Sequence, residues 1–456
     1  MKNTVLTYAA GLLGAAALTY LVATQPTNAL MGVAALAFVV ALAWAGHSAS
    51  RLGILSAVLL IGIPLVPGLQ ETRQPQLFAM LAVSGSLLAV ALALARRRKK
   101  RARVAYGTAT ILAVLTLLTV GFEHPDQFRL LVGLVLAFTV ALPLAISAAA
   151  DERELQAIVT GITVIAIIAA GIALVESVNR APLIKFTAFQ EHTSPLVAFR
   201  ASSIFGHPLV LCVFLSFIAL ANIVRPRWDQ SKWYSSRLIT VGIPLAGAAV
   251  SGSRSIALFM AVGILSILAM RQDLVRRKGI AFAMIVASIG LGYFALSTDS
   301  ALAARFGGLT EGEQAVRIGG LDVVMGITRG MEVFIGGGPR AVAAAYQTAS
   351  GGAIFGTVDN QLLTSYADYG LVGLALVLAL VVRLIVGLRR GSTGPWARAL
   401  IVASMSVFAA FFVMDPLAWP ILAFIFGLGA GAMTTKAPAP APEVRSVEAL
   451  PASRLR

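Results

Sequence analysis

Two arginines, Arg200 and Arg254, stand beside long apolar segments and have the chemistry needed to hold an anion. Arg254 lies in the short polar stretch 250–255 between two apolar runs, and Arg200 precedes a helix start marked by Ser203 and Pro208. A guanidinium group can form two parallel hydrogen bonds to phosphate oxygens. A helix N-terminus adds its own preference for anions. For Arg254 the alternative is an interfacial role, with the side chain extended to lipid headgroups.

A second polar group lies within 355–370, where the longest polar segment meets an apolar run. Asp359 and Asn360 stand where a helix is expected to begin, and Asp368 lies just over two turns further along it. A carboxylate in a first turn is favoured by the helix dipole alone, but it can also orient a sugar or accept the proton of a sugar hydroxyl. An ionisable residue as deep as Asp368 is a functional candidate, although Tyr366 or an arginine can instead neutralise it.

Four further residues are weaker candidates for contacts with a substrate. His207 precedes a proline near a helix start and is either a catalytic base or a capping or packing group. Gly336 and Gly338, with Arg340 nearby, allow a backbone to approach a ligand closely. They form no Walker motif, because the Lys-Ser/Thr pair that completes it is absent. We expect no metal and no cofactor, because the four histidines are unpaired at helical spacing and no Asp-x-Asp occurs.

The elements that must position these residues are helices in a membrane. The chain has 456 residues, of which 58% are hydrophobic and only 12% charged, and its mean hydropathy is +0.86. Soluble domains carry about 25% charged residues. Apolar runs long enough to cross about 30 Å of hydrocarbon recur along the sequence, and backbone in lipid must satisfy its own hydrogen bonds. The fold class predicted is an all-α polytopic integral membrane protein with about 14 transmembrane helices.

The predicted spans are separated by short turns and arginine-rich loops. They are 5–23, 29–46, 52–68, 77–95, 104–122, 129–150, 155–178, 204–224, 238–252, 255–270, 280–298, 361–388, 399–414 and 417–433. They group into N-terminal membrane helices (1–178), a loop (179–203), central membrane helices (204–298), a large loop (299–360), C-terminal membrane helices (361–433) and a disordered tail (434–456).

The distribution of basic residues predicts the orientation. The formal net charge of +16 comes from 36 Lys and Arg against 20 Asp and Glu, mostly in short loops, as the positive-inside rule requires of cytoplasmic loops. This removes the need for a nucleic acid partner. The basic cluster 96–103 is a cytoplasmic stop signal or, alternatively, a site for anionic lipid headgroups. Both termini are then cytoplasmic, and 179–203 and 299–360 lie on the outer face. The loop 151–154 is the exception among the cytoplasmic loops, because it has no excess of basic residues.

The outer loop 299–360 is far longer than a helix connection needs, and loops of this length in compact proteins are usually functional or disordered. Apolar residues and Arg317 recur at three- and four-residue spacing within 314–334, which predicts an amphipathic interfacial helix. The alternative is a simple surface loop.

Taken in order, the motifs resemble the superfamily of O-antigen ligases and Wzy-type O-antigen or exopolysaccharide polymerases of the bacterial inner membrane. That family has an outward arginine before a Gly-x-Pro helix start, as in 200–208, and a Ser-Arg between consecutive spans, as in 253–254. It has an early arginine in a large external loop, like Arg317, and a glycine turn near the loop's end, like 336–338. A helix start of the form Asp-Asn-x-x-Leu and a following Gly-Leu-x-Gly are matched within 359–373.

The resemblance implies a GT-C-type glycosyltransferase in the bacterial inner membrane, acting at the periplasmic face without metal or nucleotide sugar. The donor would be a glycan on undecaprenyl diphosphate. Arg200 and Arg254 would clamp the diphosphate, and Arg317 would add a third phosphate or loop-ordering contact. Asp359, with Asn360 and Asp368, would form the catalytic side. Membrane lipids and a chain-length regulator protein are the further partners that we expect.

Two alternatives to a polymerase stay open at this stage. Ligases of this family typically carry a histidine where Asp359 stands, and 299–360 contains no histidine, so the sequence favours a polymerase over a ligase that transfers glycan to lipid A-core. A transporter or flippase of lipid-linked glycan is the alternative of another class. Transporters need charged residues along a path through the membrane, whereas polarity here concentrates on one face.

Overall fold

The computed structural model describes part of the chain, in segments that include most of the predicted central and C-terminal spans. The described residues are 49–62, 133–134, 136–149, 151–184, 199–224, 237–253, 255–269, 324–326, 330–338, 341, 345, 360–390 and 394–432. The predicted spans 5–23, 29–46, 77–95, 104–122 and 280–298 lie outside them, so the total of 14 remains a prediction.

Within the described residues the fold is helical throughout, with no strand. Ten α-helices, numbered here in chain order, are α1 Ala49–Gly62, α2 Leu142–Ala148, α3 Glu152–Asn179, α4 Pro208–Val224, α5 Ile243–Val250, α6 Ile256–Ala269, α7 Glu332–Ile335, α8 Gln361–Arg390, α9 Pro395–Ala410 and α10 Pro420–Ala432. The π-helical segments Leu136–Ala141 and Leu238–Gly242 lead into α2 and α5, and 3₁₀ turns occupy Ser203–Phe205 and Pro416–Ala418.

The helices form where the apolar segments predict them, with two differences. The predicted span 204–224 begins as a 3₁₀ turn, and its α-helix starts only at Pro208, which suits the first turn because it has no N–H to leave unbonded. The predicted span 361–388 is α8, but Gly370 inside it has φ 61 and ψ −153, which is not helical. One apolar run therefore contains two helical segments joined at a kink.

Two of the helices, α3 and α8, are long and apolar enough to cross a membrane. A core helix of a soluble protein is mostly buried, whereas these two keep large apolar side chains exposed. Val164 and Ile168 of α3 are 53% and 57% exposed, and Val372 and Val382 of α8 are 57% and 55% exposed. In contrast, nearly all of α4, α9 and α10 is buried. The described residues thus form a bundle with a buried centre and long apolar helices at its periphery.

Hydrogen bonds at one end of this bundle explain the acidic exception at 151–154. Asp151 accepts the N–H of Arg153 at the start of α3, over 3.0 Å. Glu152 accepts the N–H of Trp396 at the start of α9, over 3.1 Å, and Glu154 accepts the N–H of Ser50 at the start of α1. A carboxylate at a helix N-terminus satisfies an unbonded donor and offsets the helix dipole. Three helices therefore start side by side here, and we call this the Glu152 end.

Candidate functional site

The opposite end of the bundle collects the residues that the sequence singled out, and we call it the Arg200 end. It comprises the end of α3, the start of α4, the α5–α6 turn, the start of α8 and the α9–α10 turn. Contacts between residues far apart in the sequence join these five places. Its described polar members, given in chain order, are Glu176, Arg200, Ser203, His207, Ser251, Asn360, Thr364 and Asp415.

The segment that carries Arg200 is held by a buried carboxylate. Glu176, in the last turn of α3, is 0% exposed. Its Oε2 accepts the N–H groups of Ser202 over 3.1 Å and Ser203 over 2.8 Å. Its Oε1 accepts the N–H of Leu183 over 3.1 Å. A buried carboxylate is costly unless it is hydrogen-bonded, and these three bonds meet that requirement.

Ser203 holds an unusual conformation at the same point. Its φ is 51°, in the left-handed region that non-glycine residues rarely adopt. Such a residue costs about 1–3 kcal/mol and persists where its surroundings over-determine it. Here the Oγ donates to the carbonyl of Ala169 over 2.7 Å, while the N–H is bound by Glu176. The chain is therefore turned sharply, and firmly, three residues after Arg200.

Arg200 reaches the α5–α6 turn, where the second arginine motif begins. Its Nε donates to the carbonyl of Ser251 over 3.3 Å, and Arg200 itself is only partly buried. Ser251 and Ser253 are buried and immediately precede Arg254. Arg254 itself lies outside the described residues. The structure thus brings the Arg200 segment against the turn that leads to Arg254, although 51 residues separate Arg200 from Ser251.

His207 connects the Arg200 segment to the C-terminal helices. It lies in the turn before α4, and its ring centroid is 5.3 Å from that of Trp419, at the α9–α10 turn. Burial and the nearby Arg200 guanidinium lower the pKa of His207 from its usual 6.5 to about 4. The imidazole is therefore neutral at pH 7. The contact between the His207 and Trp419 rings favours the packing interpretation of His207 over the catalytic one.

The start of α8 is tied to the α9–α10 turn. Asn360 caps α8, because its Oδ1 accepts the N–H groups of Leu362 and Leu363 over 3.0 and 3.2 Å. The Thr364 hydroxyl contacts both oxygens of Asp415, at 3.0 and 3.1 Å. Asn360, a predicted catalytic residue, thus has a structural role, and Asp415 is a carboxylate at this end that the sequence analysis did not single out as a site residue.

The glycine turn contacts protein backbone at the kink of α8. Gly337 and Gly338 donate their N–H groups to the carbonyls of Ala367 and Asp368, over 2.8 and 3.1 Å. A Cβ on Gly336 would lie 2.3 Å from the Asp368 carbonyl. The backbone that comes close to these glycines in the structure is that of α8, and an approach to a ligand stays a prediction. Asp368 is only 6% exposed at this junction.

Of the predicted interfacial helix 314–334, the structure describes 324–326, which are helical, and 330–334. Gly330 has a left-handed φ of 63°, and α7 starts two residues later. A continuous helix through Gly330 to Phe334 is therefore not formed, because left-handed backbone breaks helical hydrogen bonding. Met331, Phe334 and Ile335 expose apolar side chains, and the interfacial position stays a prediction.

Four predicted site residues, Arg254, Arg317, Arg340 and Asp359, lie outside the described residues, and their roles remain predictions. Sequence reasoning missed Glu176, Thr364, Asp415 and Trp419 as members of this end. The signal was present for the two acids, because each stands at the edge of an apolar run. An ionisable residue in such a place is expensive unless it is bonded.

Among the described residues, no group of three or more His, Cys, Asp or Glu side chains is placed to hold a metal ion. Comparison with known proteins adds no relative: no protein-family model matches the chain, and searches of curated proteins and of solved structures found no match.

Proposed function

We propose that this protein is a membrane glycosyltransferase that polymerises oligosaccharide repeat units carried on undecaprenyl diphosphate. In this proposal the chain is a multi-pass protein of the bacterial inner membrane with a GT-C-type architecture and a periplasmic site. The Arg200 end is that site. The donor diphosphate binds to Arg200 and Arg254, and the acceptor glycan lies towards the start of α8.

The observation that carries the proposal is the Arg200–Ser251 contact. It supports a shared anion site, because it joins the two segments whose arginines the sequence analysis assigned to one diphosphate. The α9–α10 turn adjoins the same end through His207 and Trp419, and the start of α8 is tied to that turn through Thr364 and Asp415. A diphosphate spans two phosphates, so two arginines on adjoining turns suit it better than a single arginine does.

The chemistry requires charge stabilisation more than a strong base. A hydroxyl of the acceptor glycan attacks the anomeric carbon of the donor, a new glycosidic C–O bond forms, and the C–O bond to the diphosphate breaks. The hydroxyl proton passes to a base, for which Asp359 is the first candidate. Undecaprenyl diphosphate leaves with additional negative charge on its phosphate oxygen. Fixed cations beside that oxygen stabilise the transition state more than the ground state.

Charge placement supports an enzyme over the transporter alternative. In the described helices, most charged side chains lie near the helix ends, for example Glu176 in the last turn of α3 and Arg398 in the first turn of α9. Asp368 and Arg383, inside α8, are the exceptions. The described core of α4 and α9 is lined by apolar and small residues. A transport path would place charges near the midplane. An enzyme that acts at one face of the membrane needs charged side chains only at the Arg200 end.

The test replaces Arg200 by Ala in the host that makes the polysaccharide. Loss of a cation that stabilises the leaving diphosphate costs about 10²-fold or more in rate, so we expect short glycans on the lipid carrier and little long polymer. Polysaccharide chain length on gels and the lipid-linked pool by mass spectrometry are the readouts. Protein abundance in membranes is measured in parallel.

Arg237 offers a matched control. It also donates to a backbone carbonyl, that of Ile223 over 3.1 Å, but it lies at the opposite end of α4. Arg237→Ala should leave polymer length unchanged. Normal polymer in the Arg200→Ala strain, with normal protein abundance, would rule out the clamp. Glycan transferred to a different acceptor, with repeat units unjoined, would identify a ligase instead.

A further inference from the structure

We propose that Glu176 is the positioning residue for Arg200: its carboxylate fixes the backbone of the Arg200 segment and so aims the guanidinium group at the anion site. The inference that Glu176 fixes this segment depends on geometry alone. Its consequence for diphosphate binding rests on the proposed function.

The Glu176 carboxylate reaches two separate parts of the loop 179–203. Glu176 binds Leu183 on one side and Ser202 and Ser203 on the other. These residues flank 185–198, a stretch outside the described residues. One side chain therefore holds both described borders of the 179–203 loop to the last turn of α3. Ser202 is two residues from Arg200, so two peptide units connect the anchored N–H to the arginine.

Arg200 then has two independent restraints. Its backbone is held through Glu176, and its Nε donates to the Ser251 carbonyl over 3.3 Å. Neither restraint alone sets the guanidinium direction, because an arginine side chain has many rotamers and a loop backbone has many conformations. Together they define where the fork of N–H donors lies relative to the α5–α6 turn.

The three hydrogen bonds explain why residue 176 is a glutamate. Three N–H donors converge on two acceptor oxygens, and only a carboxylate supplies two. Glutamine keeps one acceptor oxygen and places an NH₂ donor against the remaining N–H groups. Aspartate keeps both oxygens but shortens the side chain by one methylene group. Ser203, whose Oγ donates to the Ala169 carbonyl, has a strained left-handed backbone conformation. This conformation persists only while the hydrogen-bond network is intact.

The structural part is tested on the purified full chain by hydrogen–deuterium exchange and mass spectrometry. In Glu176→Gln we expect faster exchange in peptides covering 181–184 and 199–205, where the three bonded N–H groups lie. The matched control is Glu152→Gln, which alters a carboxylate that accepts a backbone N–H at the opposite end of α3. It should leave exchange in 199–205 unchanged.

The consequence for the site is tested by binding of undecaprenyl diphosphate to the same variants in lipid nanodiscs. We expect Glu176→Gln to raise the Kd about tenfold in the presence of Arg200 and by less than about twofold in an Arg200→Ala background, because residues that act as a unit are not additive. General destabilisation would raise the Kd equally in both backgrounds. Glu176→Asp should give an intermediate value, and it replaces Glu176→Gln in both experiments if that variant does not fold.

The outcomes separate this inference from the proposed function. Unchanged exchange in 199–205 overturns the positioning role, whatever the protein binds. Faster exchange also overturns it if Arg200→Ala itself raises the Kd but Glu176→Gln raises the Kd equally in both backgrounds, because Glu176 would then act on binding without Arg200. Faster exchange, together with a Kd that Arg200→Ala leaves unaltered, supports Glu176 as the anchor of this segment and rejects the diphosphate function.

Discussion

At the scale of the residue, the described polar groups at the Arg200 end are either bonded or held neutral. The Glu176 carboxylate accepts three backbone N–H groups, and Asp415 contacts the Thr364 hydroxyl. Burial beside Arg200 disfavours the protonated form of His207. Arg200 then contributes a positive charge, and the neighbouring neutral imidazole adds none.

The lowered pKa of His207 in the folded protein makes the stability of the protein depend on pH. Its pKa is about 4 in the folded protein and about 6.5 when unfolded, so the unfolded chain binds more protons between these values. The free energy of unfolding should therefore fall as pH falls from about 6.5 towards 4. We expect the thermal midpoint of the wild type in detergent to drop more steeply between pH 7.5 and pH 5 than that of His207→Gln.

The comparison of slopes separates this effect from the titration of carboxylates, which both proteins share. A substitution that only disturbs packing against Trp419 lowers the midpoint by the same amount at every pH. Parallel curves would show that His207 keeps an ordinary pKa in the folded protein.

At the scale of the element, α8 is the helix whose structure departs furthest from its sequence pattern. Its apolar run predicts one continuous span, whereas Gly370 breaks it and Gly336 packs against the break. Two glycines face each other because two backbones meet there. The glycine turn is thus joined to the buried Asp368 and not to open solvent.

The kink predicts an unequal response of two glycines to the same substitution. Gly370 has a conformation open almost only to glycine, and a Cβ there would lie 2.3 Å from the carbonyl carbon of Phe334. Gly370→Ala should lower the free energy of unfolding by about 1–3 kcal/mol from backbone strain alone. Gly171, inside α3, has nothing within 4 Å of a Cβ, so Gly171→Ala should stabilise by up to about 1 kcal/mol.

Thermal unfolding of the two purified variants is the measurement. Equal midpoints for Gly370→Ala and wild type would mean that α8 runs straight through residue 370 and that the glycine turn does not dock there.

At the scale of the whole molecule, the described contacts fall into two groups at opposite ends of the bundle. The acids of 151–154 cap three helices at the Glu152 end, and Glu176, Arg200 and Asp415 gather at the other. The charge rule predicts that the Glu152 end is cytoplasmic and that the Arg200 end lies outside. α1, α3 and α9 are odd-numbered spans in the predicted order, which requires them to run the same way, and all three start at the Glu152 end.

Cysteine labelling of intact cells tests the orientation. The background is Cys212→Ala, which removes the single native cysteine. Ala181 and Arg153 are both exposed, at the Arg200 end and the Glu152 end respectively. A membrane-impermeant maleimide should label Ala181→Cys in intact cells and Arg153→Cys only after the membrane is disrupted. The reverse pattern would place the Arg200 end in the cytoplasm and exclude a periplasmic site.

Much of this architecture was predictable, because hydropathy is a local property of the sequence. Apolar runs gave the positions of the described helices, as for α3 and α6, and the polar breaks between them gave the places where Arg200 and Asn360 stand. The 3₁₀ turn Ser203–Phe205, where the predicted span 204–224 begins, and the kink at Gly370 were not predicted. Both depend on contacts made by turns, which hydropathy does not register.

The sequence by itself determined that the segments described by the structure are apolar and helical, and it identified Arg200 as a residue suited to an anion. Only the tertiary structure decided what holds Arg200 and what Arg200 adjoins. Glu176 binds Ser202 across 26 residues, Arg200 binds Ser251 across 51, and Glu152 caps Trp396 across 244. The physical reason is that a buried carboxylate needs donors, and the sequence does not specify which distant backbone N–H groups the packed helices will bring to it.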